Sequence, residues 1–214
     1  ARGFQVNAHA IGDRAIRRVL DAYERFAGPP DLRRRRRYRV EHVSVLHDND
    51  VPRFAQLGII ASMQPNFVGE YSRWALDRVG PQRIRTVYRT RDLLRSGAVI
   101  ATGSDYPASD SGDPIVTLYC MVTRVGAAGE PKGGWQPEQR VDVDTALKSM
   151  TWAPAFASFQ EDDLGAIAVG RYADFTVLSA DPHEVPAERL NKLKVLMTIV
   201  GGKIVYREAD SSRE

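Results

Sequence analysis

A chain of 214 residues carrying 30 basic and 27 acidic side chains, with a formal net charge of +3, has the size of one domain or of a domain with a small appendage. Its 43% apolar content supports a sizeable core and excludes gross disorder, and no apolar stretch approaches the roughly 20 residues of a membrane span. The single cysteine, Cys120, cannot form an intrachain disulfide, which favours a reducing, cytoplasmic compartment.

Taken in chain order, the sequence opens without an initiator methionine at Ala1 and without a signal or transit pattern. Gly3 reads as the turn entering a strand, so the chain is expected to open in mid-fold. "FQVNAH" is strand-like, and Asp13 is placed to cap the helix after it. Ile16, Val19, Leu20, Tyr23 and Phe26 recur at helical spacing, and "AGPPD" ends that helix. Five consecutive arginines, Arg33 to Arg37, read as a solvated loop. No interleaved aromatic platform accompanies them, so a nucleic-acid partner is not expected. "YRVEHVSV" is a second strand, Asp48 to Leu57 a short helix closed by Gly58, and "IIASMQP" a third strand.

A long polar and aromatic connection, Asn66 to Tyr88, has room for a helix of its own. "RDLLRSG" reads as a helix and "AVIATGSD" as the fourth strand. "DPIVTLYCMVTRV" adds a helix in which Cys120 falls in the apolar pattern, so this thiol is expected in the core. After a Gly-rich loop (126–134), "VDVDTALKSMTWAPAFASF" is helical, with Asp144 as its cap. The final stretches, "LGAIAVGRYADFTVLSAD" and "VLMTIVGGKIVYRE", are β-rich, with turns at Gly170-Arg171 and Gly201-Gly202.

Alternating strands and helices with apolar strands predict an α/β fold with a buried parallel sheet. Four such units make half of a closed eight-stranded barrel, or else a small open sheet. The expected division is 1–160 for the α/β part and 161–214 for a small β-domain.

In such folds chemistry sits at the carboxyl ends of the strands. His9 ends the first strand, His42 falls near the end of the second, and Asp105 follows the fourth; imidazole nitrogen and carboxylate oxygen suit a divalent metal such as zinc. His47 reads as a loop or helix-start residue and His183 as a surface turn. Gln64, Asn66 and Arg124 are candidate substrate contacts. No nucleophile elbow, Walker loop or dinucleotide fingerprint follows any strand.

The stretches "AHAIGDRAI", "RVEHVSVLHDNDVPRFAQLGIIASMQPNF", "LLRSGAVIATGSDYP" followed by "DPI" and "VTR", and "GAIAVGRYADFTVL" with "VGGKIVY" occur in an order that resembles the amidohydrolase superfamily, specifically the family 3 branch that includes N-substituted formamide deformylases. The resemblance implies a TIM-barrel-type metal-dependent hydrolase with a small β-sandwich, of which this chain holds the C-terminal half, about strands five to eight. It implies that His9 is a metal ligand on the fifth barrel strand. His42, on the sixth, binds a second metal or contacts the substrate carbonyl and water, and Asp105, on the eighth, is ligand and general base. One or two zinc ions and a small-molecule amide substrate follow from the same resemblance.

The family's first-strand His-x-His pair is absent from all 214 residues, so it is expected upstream together with strands one to four. An opened barrel leaves two unpaired edges, so the chain is expected to form a homo-oligomer or to pair with its missing N-terminal half, with negligible activity alone. The alternative is a non-catalytic remnant or assembly fragment of such an enzyme.

Overall fold

A computed structural model describes residues 4–26 and 28–209. The turn expected at Gly3 lies outside the described residues.

Four short strands, β1 (Asn7–Ala10), β2 (Arg39–His42), β3 (Ile60–Met63) and β4 (Ile100–Thr102), pair in parallel in the order β1-β2-β3-β4. Their register aligns Ala8, Val40, Ala61 and Ile100 in one row and His9, Glu41, Ser62 and Ala101 in the next. Successive side chains of a strand point to opposite faces, so these rows lie on opposite sides of the sheet. The first row joins the main core with α1 (Asp13–Phe26) through Ile16 and Leu20, and with α3 (Val51–Leu57) through Phe54. Asp50, buried before α3, binds Arg17 of α1 at 2.9 Å and Arg53 at 3.0 Å, which clasps the two helices.

The other face is covered only toward the amino ends of the strands. There α8 (Trp152–Ala157) packs Ala153 and Ala157 against Ile60 and Ala101. Gln5 donates to the Ala157 carbonyl at 2.9 Å, and Arg37 donates to the Phe156 carbonyl. These bonds satisfy carbonyls that a helix end leaves without partners. The single expected helix over 141–159 is in fact two, α7 (Val143–Met150) and α8, broken at Thr151. Pro154 is the cause, since its ring crowds the carbonyl four residues earlier and it has no N–H to donate. Asp142, not Asp144, caps α7, its carboxylate accepting from Thr145 N at 2.7 Å.

The arginine run is a helix rather than a loop: α2 spans Pro30–Arg36. Pro30 has the φ a first helical residue needs, and four arginines in the last turn complement the negative end of the helix dipole. Arg33 donates to the Gly28 carbonyl at 2.6 Å, and Arg36 donates to the Tyr38 hydroxyl at 3.1 Å. Arg37, in a left-handed conformation just past the helix, is paired with Glu161 and stacks over the rings of Phe156 (3.8 Å) and Phe159 (4.7 Å).

The connection after β3 holds α4 (Phe67–Val79), and α5 (Thr90–Arg95) leads into β4. Buried Cys120 lies in α6 (Pro114–Thr123), where burial pushes its thiol up to about 12. Three antiparallel strands, β5 (Phe175–Leu178), β6 (Val195–Val200) and β7 (Lys203–Arg207), form a second sheet in that order. Leu178 and Val195 anchor it on Leu118 and Met121 of α6 and on Leu190 and Leu193. Residues 164–174, expected to be β-rich, form no strand: they are irregular chain with bends and the expected turn at Gly170-Arg171, and Ile167 and Val169 are exposed. His183 lies in the expected surface turn and contacts Asp181 at 2.8 Å and Asp144 of α7 at 3.0 Å, bridging the two parts of the chain.

Two outcomes follow. Arg37→Ala leaves Glu161 half-buried and unpaired and lowers stability by about 2 kcal/mol in urea unfolding, whereas exposed Arg35→Ala changes it by less than about 0.5 kcal/mol. The hydrogen bonds to Asp181 and then to Asp144 raise the His183 pKa above 6.5. The stabilisation from protonated His183 is therefore complete below pH 6.5 and is lost as pH rises through the folded-state value. Thermal melts of wild type and His183→Gln should converge on the alkaline side and separate on the acidic side.

Candidate functional site

His9 sits on the sheet face away from α1 and α3, directly opposite Glu41 in register. By simple alternation His42 would join Ala10 on the other face. The chain avoids this because His42 has φ +76° and Val43 φ +48°, two successive residues in the left-handed region. The Val43 N–H is held by the carbonyls of Ala10 (3.2 Å) and Glu41 (3.1 Å), and its side chain is fully buried. The result brings the His42 ring edge-on to the His9 ring, with centroids 4.4 Å apart. A β-branched residue with positive φ is rare and costs about 1–3 kcal/mol, strain that collects at functional positions.

Asp105 also lies in the left-handed region (φ +58°). Its carbonyl accepts from Ala108 N at 2.7 Å, making the turn that follows β4, and the residue is exposed. The structure thus brings together two of the three expected ligands. Among the described residues, no group of three His, Cys, Asp or Glu side chains is placed to hold a metal ion.

Gln64 is buried at the end of β3 on the His9 face. Its Nε2 donates to Glu41 at 3.4 Å and to the Ser62 carbonyl at 3.3 Å, while its Oε1 has no partner. Asn66 is a structural tie, donating to the Ser111 carbonyl at 2.7 Å and accepting from Thr117 at 2.7 Å. Arg124 is 2% exposed; it donates to the Trp135 carbonyl at 2.9 Å, and burial lowers its pKa to about 10. The Asn66 amide is engaged at both ends, whereas the Arg124 guanidinium keeps a buried Nη2 with no partner among the described residues.

An aromatic row leads away from His42. Phe67 stands 6.5 Å from its ring, Tyr71 lies 5.9 Å from Phe67, and Trp74 and Tyr88 flank Tyr71 at 4.3 and 5.1 Å. Phe67, Tyr71 and Trp74 are three to four residues apart and so share one face of α4. Close approach seats this helix: a Cβ on Gly69 would lie 2.6 Å from the Gly126 Cα.

Glu41 is the residue that sequence reasoning did not single out. It lies in a strand of sequence Arg-Val-Glu-His whose only buried residue is Val40, so nothing local marks it. The fold and the site define the class: a parallel α/β protein with paired imidazoles at the carboxyl edge of its sheet.

Comparison with known proteins narrows this. The sequence profile of the Amidohydrolase family matches residues 1–206, and the chain belongs to that family. It is 33% identical to the putative amidohydrolase YtcJ of Bacillus subtilis (strain 168) over 97% of this chain and 38% of that protein. It is 30% identical to the N-substituted formamide deformylase of Arthrobacter pascens over 98% of this chain and 38% of that protein. It therefore spans little more than a third of these relatives' length. An uncharacterized metal-dependent hydrolase from Pyrococcus horikoshii OT3 superposes with a TM-score of 0.74 and 32% identity, covering 86% of this chain and 36% of that one.

The left-handed turn at Asp105 yields a stability test. Glycine reaches that conformation without the Cβ clash, so Asp105→Gly should match the wild type or exceed it by up to about 1 kcal/mol in urea unfolding. A loss greater than that would mean that the carboxylate holds the fold.

Proposed function

We propose that this chain is the C-terminal part of a metal-dependent hydrolase that cleaves a C–N bond of amide or formamide type. The observation that carries the reading is the His9–His42 contact at the carboxyl edge of a parallel sheet, in a chain whose family and relatives are hydrolases. When bound, zinc or another divalent ion lowers the pKa of water to about 7 and polarises a carbonyl. The described residues supply two imidazoles and no third convergent donor, so the ion does not fit this chain by itself. A catalytic zinc needs three protein ligands. In the reading proposed here the remaining donors come from an N-terminal part, whose strands pair with the free outer edges of β1 and β4; a second copy of this chain is the other candidate for those edges.

Within that assembly His9 and His42 are donors, and His42 also faces the substrate carbonyl. Asp105 takes the proton of the attacking water and delivers it to the leaving nitrogen, because an amine departs poorly unless protonated. Gln64 and Arg124, each with a buried polar atom that lacks a partner among the described residues, and Asn66 are the candidate substrate contacts. Phe4, Val6 and Ile11 stand exposed beside β1, apolar surface that a strand partner would cover. The single buried thiol fits a cytoplasmic setting. The second reading, a non-catalytic remnant or assembly fragment, is favoured by one observation, the incomplete donor set.

Amine release from an N-alkylformamide distinguishes the two readings. The chain alone should turn over negligibly. The longer protein should be active, with Asp105→Asn lowering kcat at least 100-fold and KM changing less than about three-fold. Near-normal turnover in Asp105→Asn removes the carboxylate from this role. A longer protein inactive on amides and formamides overturns the C–N reading and leaves the remnant.

A further inference from the structure

Arg124 is a buried cation without a counter-ion among the described residues. It is 2% exposed, and at a pKa of about 10, lowered by burial, it is charged at neutral pH. Its Nε donates to the Trp135 carbonyl at 2.9 Å, its own carbonyl accepts from Trp135 N at 2.8 Å, and Nη2 has no partner. Glu138, the acid near enough to act on its charge, is exposed and makes no ion pair with it. A charge taken out of water is costly unless something pairs with it, so the missing counter-charge calls for an explanation.

Tyr88 stands beside this cation. It is 1% exposed, and neither its hydroxyl nor the buried Ser44 Oγ makes a hydrogen bond. Burial, and after it Tyr71, raise the Tyr88 pKa well above 10, so the hydroxyl stays a donor, while the Arg124 charge opposes that rise. Both residues have positive φ, +50° at Tyr88 and +62° at Arg124, strain of a kind that collects at functional positions. The Tyr88 N–H is tied to the Ser44 carbonyl at 2.8 Å, two residues past His42. The aromatic row that begins beside His42 also ends here, with the Tyr71 ring edge-on to Tyr88.

A buried guanidinium N–H and a phenol O–H, both lacking acceptors, are complementary to an anion. One guanidinium offsets one negative charge, and a planar N–H edge suits the two oxygens of a carboxylate. A phosphate dianion would leave a charge uncompensated. We propose that Arg124 Nη2 and the Tyr88 hydroxyl receive the carboxylate of a small-molecule ligand, which makes the substrate of the hydrolase proposed above an amide or formamide carrying one carboxylate. The class of substrate rests on that reading; the anion site does not.

Melting curves of the 214-residue chain and of the longer protein, in sodium butyrate and in sodium chloride of equal ionic strength, test the site. Butyrate at about 50 mM should raise the melting temperature by at least about 2 °C over chloride, since a ligand that binds only the folded state stabilises it. Tyr88→Phe should require about 3–10-fold more butyrate for the same shift. Arg124→Met should abolish the shift while melting in chloride no lower than wild type, because an apolar side chain replaces an unpaired charge. Butyrate that stabilises no more than chloride, or that stabilises Arg124→Met equally, overturns the proposal and leaves a bridging water at Nη2. Should Arg124→Met not fold, an unchanged butyrate response in Tyr88→Phe overturns it instead. The longer protein decides where the two differ: an effect confined to the shorter chain means that an acid of the N-terminal part fills the place, and the proposal falls.

Amine release by the longer protein from N-formyl ω-amino acids of increasing chain length, against neutral N-butylformamide, reads the substrate class. At least one acid should exceed N-butylformamide about 10-fold in kcat/KM, and Arg124→Met should remove that preference. Preference for N-butylformamide over every acid overturns the substrate class. No turnover of any of these amides, with the butyrate shift intact, leaves the anion site standing and overturns the hydrolase reading.

Discussion

Parallel pairing in register, with Asn7 against Arg39 and Arg39 against Ile60, is the constraint from which the rest of this molecule follows. Because side chains alternate along each strand, this register sorts one row of small and branched apolar residues toward the helices. It lines up His9, Glu41, Ser62 and Ala101 on the opposite face. A slip of one residue would bury His9 and Glu41 against α1 and α3 and expose Ala8 and Val40. At one position the pattern is overridden: His42 reaches His9 only through two successive left-handed residues, and the burial of Val43 in the core holds that strained conformation in place.

The floor and the edges of the sheet are built from different physics. At the floor, α8 is fastened by directional bonds, with Gln5 and Arg37 donating to its last carbonyls and Arg37 lying over two aromatic rings. That contact closes the amino end of the face and leaves the carboxyl end, where the histidines meet, open. The three-stranded sheet is attached instead by a non-directional apolar patch beneath α6, with the His183 bridge at its exposed rim. A cluster of charges at the rim tunes such a junction, while apolar burial supplies most of its strength.

The site is distributed unevenly over the sequence elements. Two imidazoles come together at the edge of β1 and β2, the outermost and next strand, beside an edge with free backbone groups. The carboxylate after β4 stands on the far side of the sheet. A sheet that ends at β1 and β4 separates these groups, whereas closure into a barrel curves its two edges toward one another. The described residues thus hold two imidazoles at one end of the sheet and a carboxylate after the strand at the other, in a chain that spans little more than a third of its relatives' length.

Much of this was legible in the residues. Hydrophobic periodicity and turn chemistry marked each of the four parallel strands and most of the helices, since both depend on neighbours a few residues apart. Strand-end placement alone pointed to His9, His42 and Asp105. The arginine run was misread because charge suggested solvent, whereas Pro30 and the dipole made it a helix, and Arg37 just past that helix is drawn against α8. Glu41 escaped notice because a lone acid in a strand has no local signature; only the register against His9 gives it a neighbour. The bonds of Asn66 to Ser111 and of Arg124 to Trp135 depend on partners 45 and 11 residues away. Sequence by itself determined the elements, the parallel class and the residue types at the strand ends, because those are set by short-range sterics and alternation. Tertiary structure alone decided which of those residues meet, because the register and the left-handed conformation of His42 and Val43 depend on contacts between strands distant in the chain.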